Sequence, residues 1–164
     1  MDKIIFLDFD GVLNCIGTKD RVNHPRFPDC RVRGLDNFRV KLVSDLAIQT
    51  GAKIVISSTW RLMHTLDELR TLLYSRGLDS KVEIIGGTPE SYREIGLGFG
   101  PKRGERGDDI QLWLEQNGNP KHYLVLDDLD TKHDWHQIQT SDSTGFFKGH
   151  MKRAVNILNR SEDD

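Results

Sequence analysis

Residues 1–14, MDKIIFLDFDGVLN, combine a short apolar run with two closely spaced aspartates. The run from Ile4 to Leu7 predicts a short buried strand, because it is apolar on both faces instead of alternating. The strand leads directly into Asp8 and Asp10, which are two residues apart and so point to the same face of an extended chain. Two carboxylates held close together repel each other and favour protonation unless a cation lies between them. The opening motif therefore predicts a strand end whose charge needs a partner.

The rest of the chain alternates between predicted strands and helices. Apolar runs predict strands at AKIVISS, KVEIIGG and HYLVLDD, with a further short strand near residues 137–140. Apolar spacing and capping signals predict helices within residues 35–51, 65–77, 108–118 and 149–159. Segments 11–34 and 88–107 are rich in glycine and charge and are predicted to be irregular loops. This alternation predicts an α/β fold with a parallel sheet covered by helices on both faces.

Length and composition favour one globular domain spanning residues 1–164, with 37% hydrophobic and 29% charged residues. A net charge of −2 gives no overall attraction to nucleic acid or to an anionic membrane. The sequence shows neither a signal-peptide pattern nor an apolar run of the roughly 20 residues that cross a bilayer. Only Cys15 and Cys30 are present, so we expect no disulfide framework and a cytoplasmic protein without a membrane association.

Candidate chemistry collects where the predicted strands end, which is where open α/β sheets bind ligands. The residues are Asp8, Asp10, Ser57, Ser58, Asp127 and Asp128. Clustered carboxylates without accompanying thiolates or a histidine cluster favour Mg²⁺ over zinc. His133 and His136 are interpreted as surface or packing residues, and the three tryptophans as core or rim packing.

These residue types suit phosphoryl transfer. An aspartate can attack phosphorus to form an aspartyl-phosphate. A second carboxylic acid is then needed to protonate the leaving oxygen and later to activate water. Hydroxyl groups and a basic side chain would hold the phosphoryl oxygens, and the chain offers serines at 57 and 58 and a basic cluster at Lys102, Arg103 and Arg106.

The ordered motifs resemble the haloacid dehalogenase (HAD) superfamily. FLDFDGVLN matches its DxDGx[TV]L signature, and IVISS and LVLDD stand as its second and fourth motifs. The stretches ISSTWR, RGDDIQLWL, YLVLDDLD and IQTSDSTGF are similar to a phosphatase-like branch associated with Swiss Army knife RNA-repair proteins. The chain also resembles the phosphatase module of phage polynucleotide kinases. The resemblance covers nearly the whole chain and implies a three-layer Rossmann-like fold, a mostly parallel central sheet and little or no cap domain.

The resemblance also implies roles for individual residues. Asp8 would be the nucleophile and a Mg²⁺ ligand, and Asp10 the general acid/base with its carbonyl oxygen on the metal. Asp128 would bind the metal directly, with Asp127 behind it. Ser57 or Ser58 would bind the phosphoryl group; Ser57 is slightly preferred because it comes first after the strand, whereas a serine here also suits the N-cap of the following helix.

The third motif departs from the superfamily pattern, which usually supplies a lysine. Arg106 is preferred for this role, because its guanidinium offers a fixed fork of donors. Lys102 and Arg103 are the alternatives, and Arg61, which follows the second motif, is a candidate for contact with the substrate.

The predicted loops are too short and irregular to form a cap domain, so we expect an open site that admits bulky substrates. Arginines at 21, 26, 31 and 33 in the first loop could follow a phosphate backbone. The favoured function is a Mg²⁺-dependent phosphomonoesterase acting on nucleotide or polynucleotide end phosphates. The alternatives are a phosphoprotein or small-metabolite phosphatase, a phosphotransferase, and a non-catalytic phosphate-binding or phospho-acceptor module.

Overall fold

A computed structural model describes residues 2–160. The strands are β1 (Ile4–Leu7), β2 (Arg21–Asn23), β3 (Arg31–Arg33), β4 (Lys53–Ile56), β5 (Ile84–Gly87), β6 (Tyr92–Glu94), β7 (Pro101–Arg103), β8 (Tyr123–Asp127) and β9 (Gln137–Gln139). The helices are α1 (Asn37–Thr50), α2 (Leu66–Ser75), α3 (Arg106–Gln116) and α4 (Met151–Asn159). The predicted helices and main strands are present, with boundaries that differ by a few residues.

The central sheet has five strands in the order β5-β4-β1-β8-β9, and every neighbouring pair is parallel. The register aligns Leu7 of β1 with Ile56 of β4 and with Leu126 of β8. The residues that follow these positions therefore meet at one edge of the sheet. The α/β class and the mostly parallel sheet are confirmed.

Helices cover both faces of this sheet. Ile5 and Leu7 belong to a core that includes apolar residues of α1, α2 and α4. Ile4 and Phe6 pack instead against α3, where the rings of Phe6 and Trp113 meet edge to face at 5.3 Å. Because neighbouring strand residues point to opposite faces, an apolar run such as IIFL supplies both cores. The three-layer arrangement is confirmed.

Local signals fixed two helix ends as expected. The Thr65 hydroxyl accepts a hydrogen bond from the Glu68 amide, and the Glu68 carboxylate accepts one from the Thr65 amide, which forms a capping box at the start of α2. Gly51 ends α1 in the left-handed conformation, with φ 74°. No helix in residues 2–160 is long and apolar enough to cross a bilayer.

The two segments predicted as irregular loops each contain an antiparallel hairpin, which corrects that prediction. β2 pairs with β3, and β6 pairs with β7. Each strand has only three residues, most of them exposed, so there is too little apolar alternation to reveal a strand in the sequence. Neither insertion builds a cap domain, as expected.

Candidate active site

Five candidate functional side chains converge at the carboxyl edge of the sheet. Asp8 follows β1, Ser57 follows β4, Thr88 follows β5, and Asp127 and Asp128 lie at the end of β8. The backbone amides of Asp8 and Ser57 continue the sheet, donating to the carbonyl oxygens of Leu126 and Leu7, both at 3.0 Å. The strands therefore hold these residues rigidly side by side.

The acidic cluster consists of Asp8, Asp127 and Asp128, each of which offers a carboxylate oxygen within 4.8 Å of the others. Burial and the charge of Asp127 raise the pKa of Asp8 well above its usual range, although Arg106 opposes the shift. Burial and Asp127 also raise the pKa of Asp128. An all-oxygen donor set with excess negative charge fits a hard divalent cation such as Mg²⁺.

Arg106 reaches this cluster from the first turn of α3. One guanidinium nitrogen lies 3.0 Å from Asp8 Oδ1 and 2.7 Å from Asp127 Oδ2. The other third-motif candidates lie elsewhere, since Arg103 pairs with Asp109 and the exposed Lys102 is on β7. Of the three basic residues singled out in the sequence, Arg106 contacts the acidic cluster.

Asp10 lies next to this cluster but is held by a separate set of contacts. Asn14 donates to its Oδ1 at 2.9 Å, and the indole Nε1 of Trp60 donates to its Oδ2 at 3.0 Å. Asn14 in turn accepts a hydrogen bond from the amide of Gly11. The side chain of Asp10 is thus fixed in orientation while remaining partly exposed. Its hydrogen bond to Trp60, 50 residues away in the chain, could not be predicted from a local sequence pattern.

Gly11 is required by the site geometry. Its φ of 78° is left-handed, and a Cβ atom at this position would lie 2.5 Å from Oδ2 of Asp128. Any side chain would therefore press against a carboxylate of the acidic cluster, which accounts for glycine after the second aspartate.

The two serines after β4 have different environments. Ser58 Oγ accepts a hydrogen bond from the Trp60 amide and caps the short 3-10 turn that follows. Ser57 Oγ is buried and has no hydrogen-bond partner among residues 2–160. Thr88, which sequence reasoning missed, has its Oγ1 in the same situation within the described part of the chain. An unpaired buried hydroxyl is costly, so these two groups are available to a ligand.

A family model described as the HAD domain in Swiss Army Knife RNA repair proteins matches residues 4–151. This chain belongs to that family. The match covers all of the site residues described above and most of the chain, so the phosphatase-type HAD assignment that the motifs suggested is supported. No significant match was found among curated proteins or among solved structures.

Arg61 of this HAD domain was a candidate for substrate contact, but its guanidinium is engaged with the protein. It donates to the carbonyl oxygens of Ser57, Ser58 and Thr88 at 2.8–3.0 Å. A further nitrogen donates to Asp109 at 2.9 Å. Arg61 therefore ties together the backbone that carries the two unpaired hydroxyls.

Asp109 is the residue that anchors this arrangement. It is buried, and besides Arg61 it accepts hydrogen bonds from Arg103 and from both the amide and the hydroxyl of Ser91. Burial acts to raise the pKa of Asp109, but hydrogen bonds from Arg103 and Ser91 outweigh it and lower that pKa below its usual value. Its position four residues before the buried Trp113 places a carboxylate on the inner face of α3, a signal the sequence did contain.

The histidines and tryptophans lie mostly away from the acids. His133 hydrogen-bonds with the Tyr123 hydroxyl, and His136 stacks on the ring of Tyr123 at 3.9 Å. Trp135 and His136 line a cavity of about 570 Å³ beside Tyr123, at the start of β8. His133 lines a neighbouring cavity together with these residues. Because the acidic cluster lies at the opposite end of β8, the 570 Å³ cavity is separate from the candidate active site.

Proposed function

We propose that this HAD domain is a Mg²⁺-dependent phosphomonoesterase that works through an aspartyl-phosphate on Asp8. The observation that carries the proposal is the largely buried acidic cluster, in which Asp8, Asp127 and Asp128 each offer a carboxylate oxygen within 4.8 Å of the others and Arg106 lies 3.0 Å from Asp8. A structural strand end would not need two buried acids and a third, half-buried acid beside one arginine. A phosphoryl-transfer site needs all of them.

Asp8 and Asp128 would hold the Mg²⁺ ion, with the main-chain carbonyl of Asp10 as the superfamily resemblance implies. Asp127 uses both carboxylate oxygens, one for the Leu129 amide and one for Arg106, which supports its place behind Asp128. The bound ion would neutralise negative charge between the carboxylate and the phosphoryl group.

In the proposed reaction, an oxygen of Asp8 attacks phosphorus and the bond to the leaving oxygen breaks. Asp10 gives its proton to that oxygen. Asp10 then takes a proton from a water molecule that attacks the phosphorus of the aspartyl-phosphate, releasing inorganic phosphate and free Asp8. Ser57 Oγ donates to a phosphoryl oxygen, and Arg106 compensates charge on the same group.

For the substrate, we propose a nucleotide or polynucleotide end phosphate in a reducing, cytoplasmic setting. The description of the matched family, which refers to RNA repair, supports the nucleic-acid class. The absence of a cap domain over the site supports a bulky substrate. The two cysteines, one buried and one exposed, are free thiols, which supports the reducing setting.

Hydrolysis of p-nitrophenyl phosphate tests the reaction. We expect release of p-nitrophenol that requires Mg²⁺, stops with EDTA, and falls on the order of a thousandfold or more in Asp8→Asn. The matched control is Asp45→Asn, which makes the same substitution at an exposed position on α1 and should retain the wild-type rate. Activity that survives Asp8→Asn would contradict the mechanism, whereas phosphorylation of Asp8 without turnover would indicate a phospho-acceptor module.

Comparison of mononucleotides with 3′- and 5′-phosphorylated oligonucleotides tests the substrate class. We expect a higher kcat/KM for at least one oligonucleotide end than for the mononucleotides. Equal values for all of them, or a marked preference for a phosphopeptide, would remove the nucleic-acid proposal and leave the chemistry intact.

A further inference from the structure

The β2–β3 hairpin presents arginines on one face. Its register places Arg21 directly opposite Arg33, and Arg31 opposite Asn23. Val22 packs against the hydrophobic core. Since alternate residues of a strand point to opposite faces, the three arginines lie on the face directed away from that core.

This arrangement concentrates positive charge that the protein itself only partly balances. Like charges directly opposite each other in a hairpin are destabilising. Arg33 is paired with Asp142 at 2.7 Å. Neither Arg21 nor Arg31 forms an ion pair with any carboxylate in residues 2–160; Arg31 donates only to the main-chain oxygen of Arg21. Within the described part of the chain, these two arginine charges therefore have no ion-pair partner.

The arginine face borders the candidate active site. A cleft of about 560 Å³ is lined by Asp10, Ile16, Arg21, Arg31, Val32 and Arg33. Asp10 thus belongs both to this cleft and to the catalytic motif. The Ile16 side chain is 72% exposed and offers an apolar surface within the same cleft.

We propose that this cleft binds the leaving-group portion of the substrate and that Arg21 and Arg31 bind a second phosphate on it. The inference rests on the proposed function, in which Asp10 protonates the leaving oxygen and so lies beside the leaving group. Guanidinium groups match phosphate oxygens with paired donors. Ile16 contacts the uncharged part of the leaving group.

The proposed leaving group carries a phosphate of its own. The substrate is then either a nucleoside bisphosphate or a strand in which this second phosphate is a phosphodiester. Both sources share the second phosphate, and p-nitrophenyl phosphate lacks it. The arginine face therefore distinguishes substrates without altering the phosphoryl-transfer step.

The first test is the ratio of two kcat/KM values. It compares a nucleoside 3′,5′-bisphosphate, or a trinucleotide with a terminal phosphate, with p-nitrophenyl phosphate at low salt. We expect a ratio of about ten or more in the wild type. Arg21→Gln and Arg31→Gln should each lower it about tenfold, as expected for loss of a charge-assisted hydrogen bond. Arg26→Gln is the matched control, because it removes the same charge from the same hairpin outside the cleft.

The second test measures binding without turnover. In the Asp8→Asn background, titration calorimetry with the nucleoside 3′,5′-bisphosphate should give tighter binding than inorganic phosphate. Adding Arg21→Gln to this background should weaken binding of the bisphosphate about tenfold. Raising the salt concentration should reduce the difference in affinity between the bisphosphate and inorganic phosphate, because exposed charges are screened.

The outcomes separate this proposal from the proposed function. If p-nitrophenyl phosphate is not hydrolysed, the phosphatase proposal fails. The calorimetry still tests whether the cleft binds a second phosphate. If it is hydrolysed but the ratio is unchanged in Arg21→Gln and Arg31→Gln, the second-phosphate site is overturned alone. An equal fall in Arg26→Gln also overturns it, because general charge would then explain the preference. A preference limited to the trinucleotide assigns the second phosphate to a phosphodiester.

Discussion

The two halves of the site balance charge in opposite ways. The acidic half, on the β8 side of β1, contains Asp8, Asp127 and Asp128. One arginine, Arg106, forms ion pairs with Asp8 and Asp127. The serine half, on the β4 side, carries Ser57 and Thr88 on a backbone held by Arg61, Arg103 and Asp109. One half has unbalanced negative charge, and the other has a paired ionic network beneath unpaired hydroxyl groups.

This difference predicts that substitutions in the two halves have different consequences. Raised pKa values in the acidic half show that its ionised form is unfavourable in the protein alone, as expected where a cation and a phosphoryl group are to bind. The lowered pKa of Asp109 shows that the serine half favours its charged form. Substitutions in the acidic half should cost activity, whereas those in the network below the serines should first cost stability.

The largest effect on stability is expected from Asp109→Asn. Loss of this carboxylate leaves the buried Arg61 without a counter-charge, and breaking a buried pair costs about 3–5 kcal/mol. Urea unfolding in EDTA would measure the free energy of unfolding. The neighbouring Asp108→Asn is the control; its ion pair with Arg93 lies at the surface, and an asparagine oxygen can still accept the hydrogen bond from the Glu105 amide, so the change should cost less than about 1 kcal/mol. Equal losses in both variants would remove the distinction between the two halves.

The next largest effect distinguishes the adjacent serines. Ser57→Ala should lower kcat/KM about 10–100-fold and leave stability unchanged or slightly higher, because the lost hydroxyl has no partner among the described residues. Ser58→Ala should instead lower stability by about 1 kcal/mol through loss of the cap. The reverse pattern in steady-state kinetics and urea unfolding would reassign phosphoryl binding to Ser58.

The smallest effect is the pH dependence of metal-free stability. A raised pKa means that folded Asp8 binds its proton more tightly than in the unfolded chain, so its contribution to stability falls as pH rises above about 3.9. The lowered pKa of Asp109 has the opposite sign: its contribution is present above about 3.9 and is lost as pH falls through the folded pKa.

Urea unfolding in EDTA from pH 3 to 8 checks both signs. The stability of Asp8→Asn relative to the wild type should increase with rising pH. The deficit of Asp109→Asn should shrink toward the acid end. A relative stability of Asp8→Asn that is independent of pH would show that the acidic half is not electrostatically unfavourable.

Sequence patterns predicted the acidic half better than the serine half for a physical reason. Asp8 directly follows the apolar strand β1, and Asp127 and Asp128 lie at the end of the apolar strand β8, so the parallel-sheet rule brings them to one edge. Asp109 depends on Arg61 and Arg103, which meet it only through tertiary packing. Arg61 is 48 residues from Asp109 in the chain, and Arg103 is six residues away but on the hairpin strand β7, which the sequence pattern did not reveal. A carboxylate at the buried spacing of α3 was nevertheless a visible sign.

The hairpins show the same limit. β2–β3 and β6–β7 have strands of three residues, none of them buried, so local pattern does not distinguish these strands from loops. The sequence shows four arginines between residues 21 and 33. Only the hairpin register shows that Arg21 and Arg33 lie opposite each other beside the cleft of Asp10.

The most direct test of the account is to trap the phosphorylated protein. Wild type, Asp8→Asn and Asp10→Asn would be mixed with p-nitrophenyl phosphate and Mg²⁺, quenched in acid, and analysed by mass spectrometry of the tryptic peptide 4–19. Nitrophenolate leaves without protonation, so Asp10→Asn can still be phosphorylated but cannot activate water efficiently. We predict one hydroxylamine-sensitive phosphate on this peptide, accumulating in Asp10→Asn and absent from Asp8→Asn. Mg²⁺-dependent hydrolysis with no phosphate on Asp8 in any of the three proteins would contradict the account.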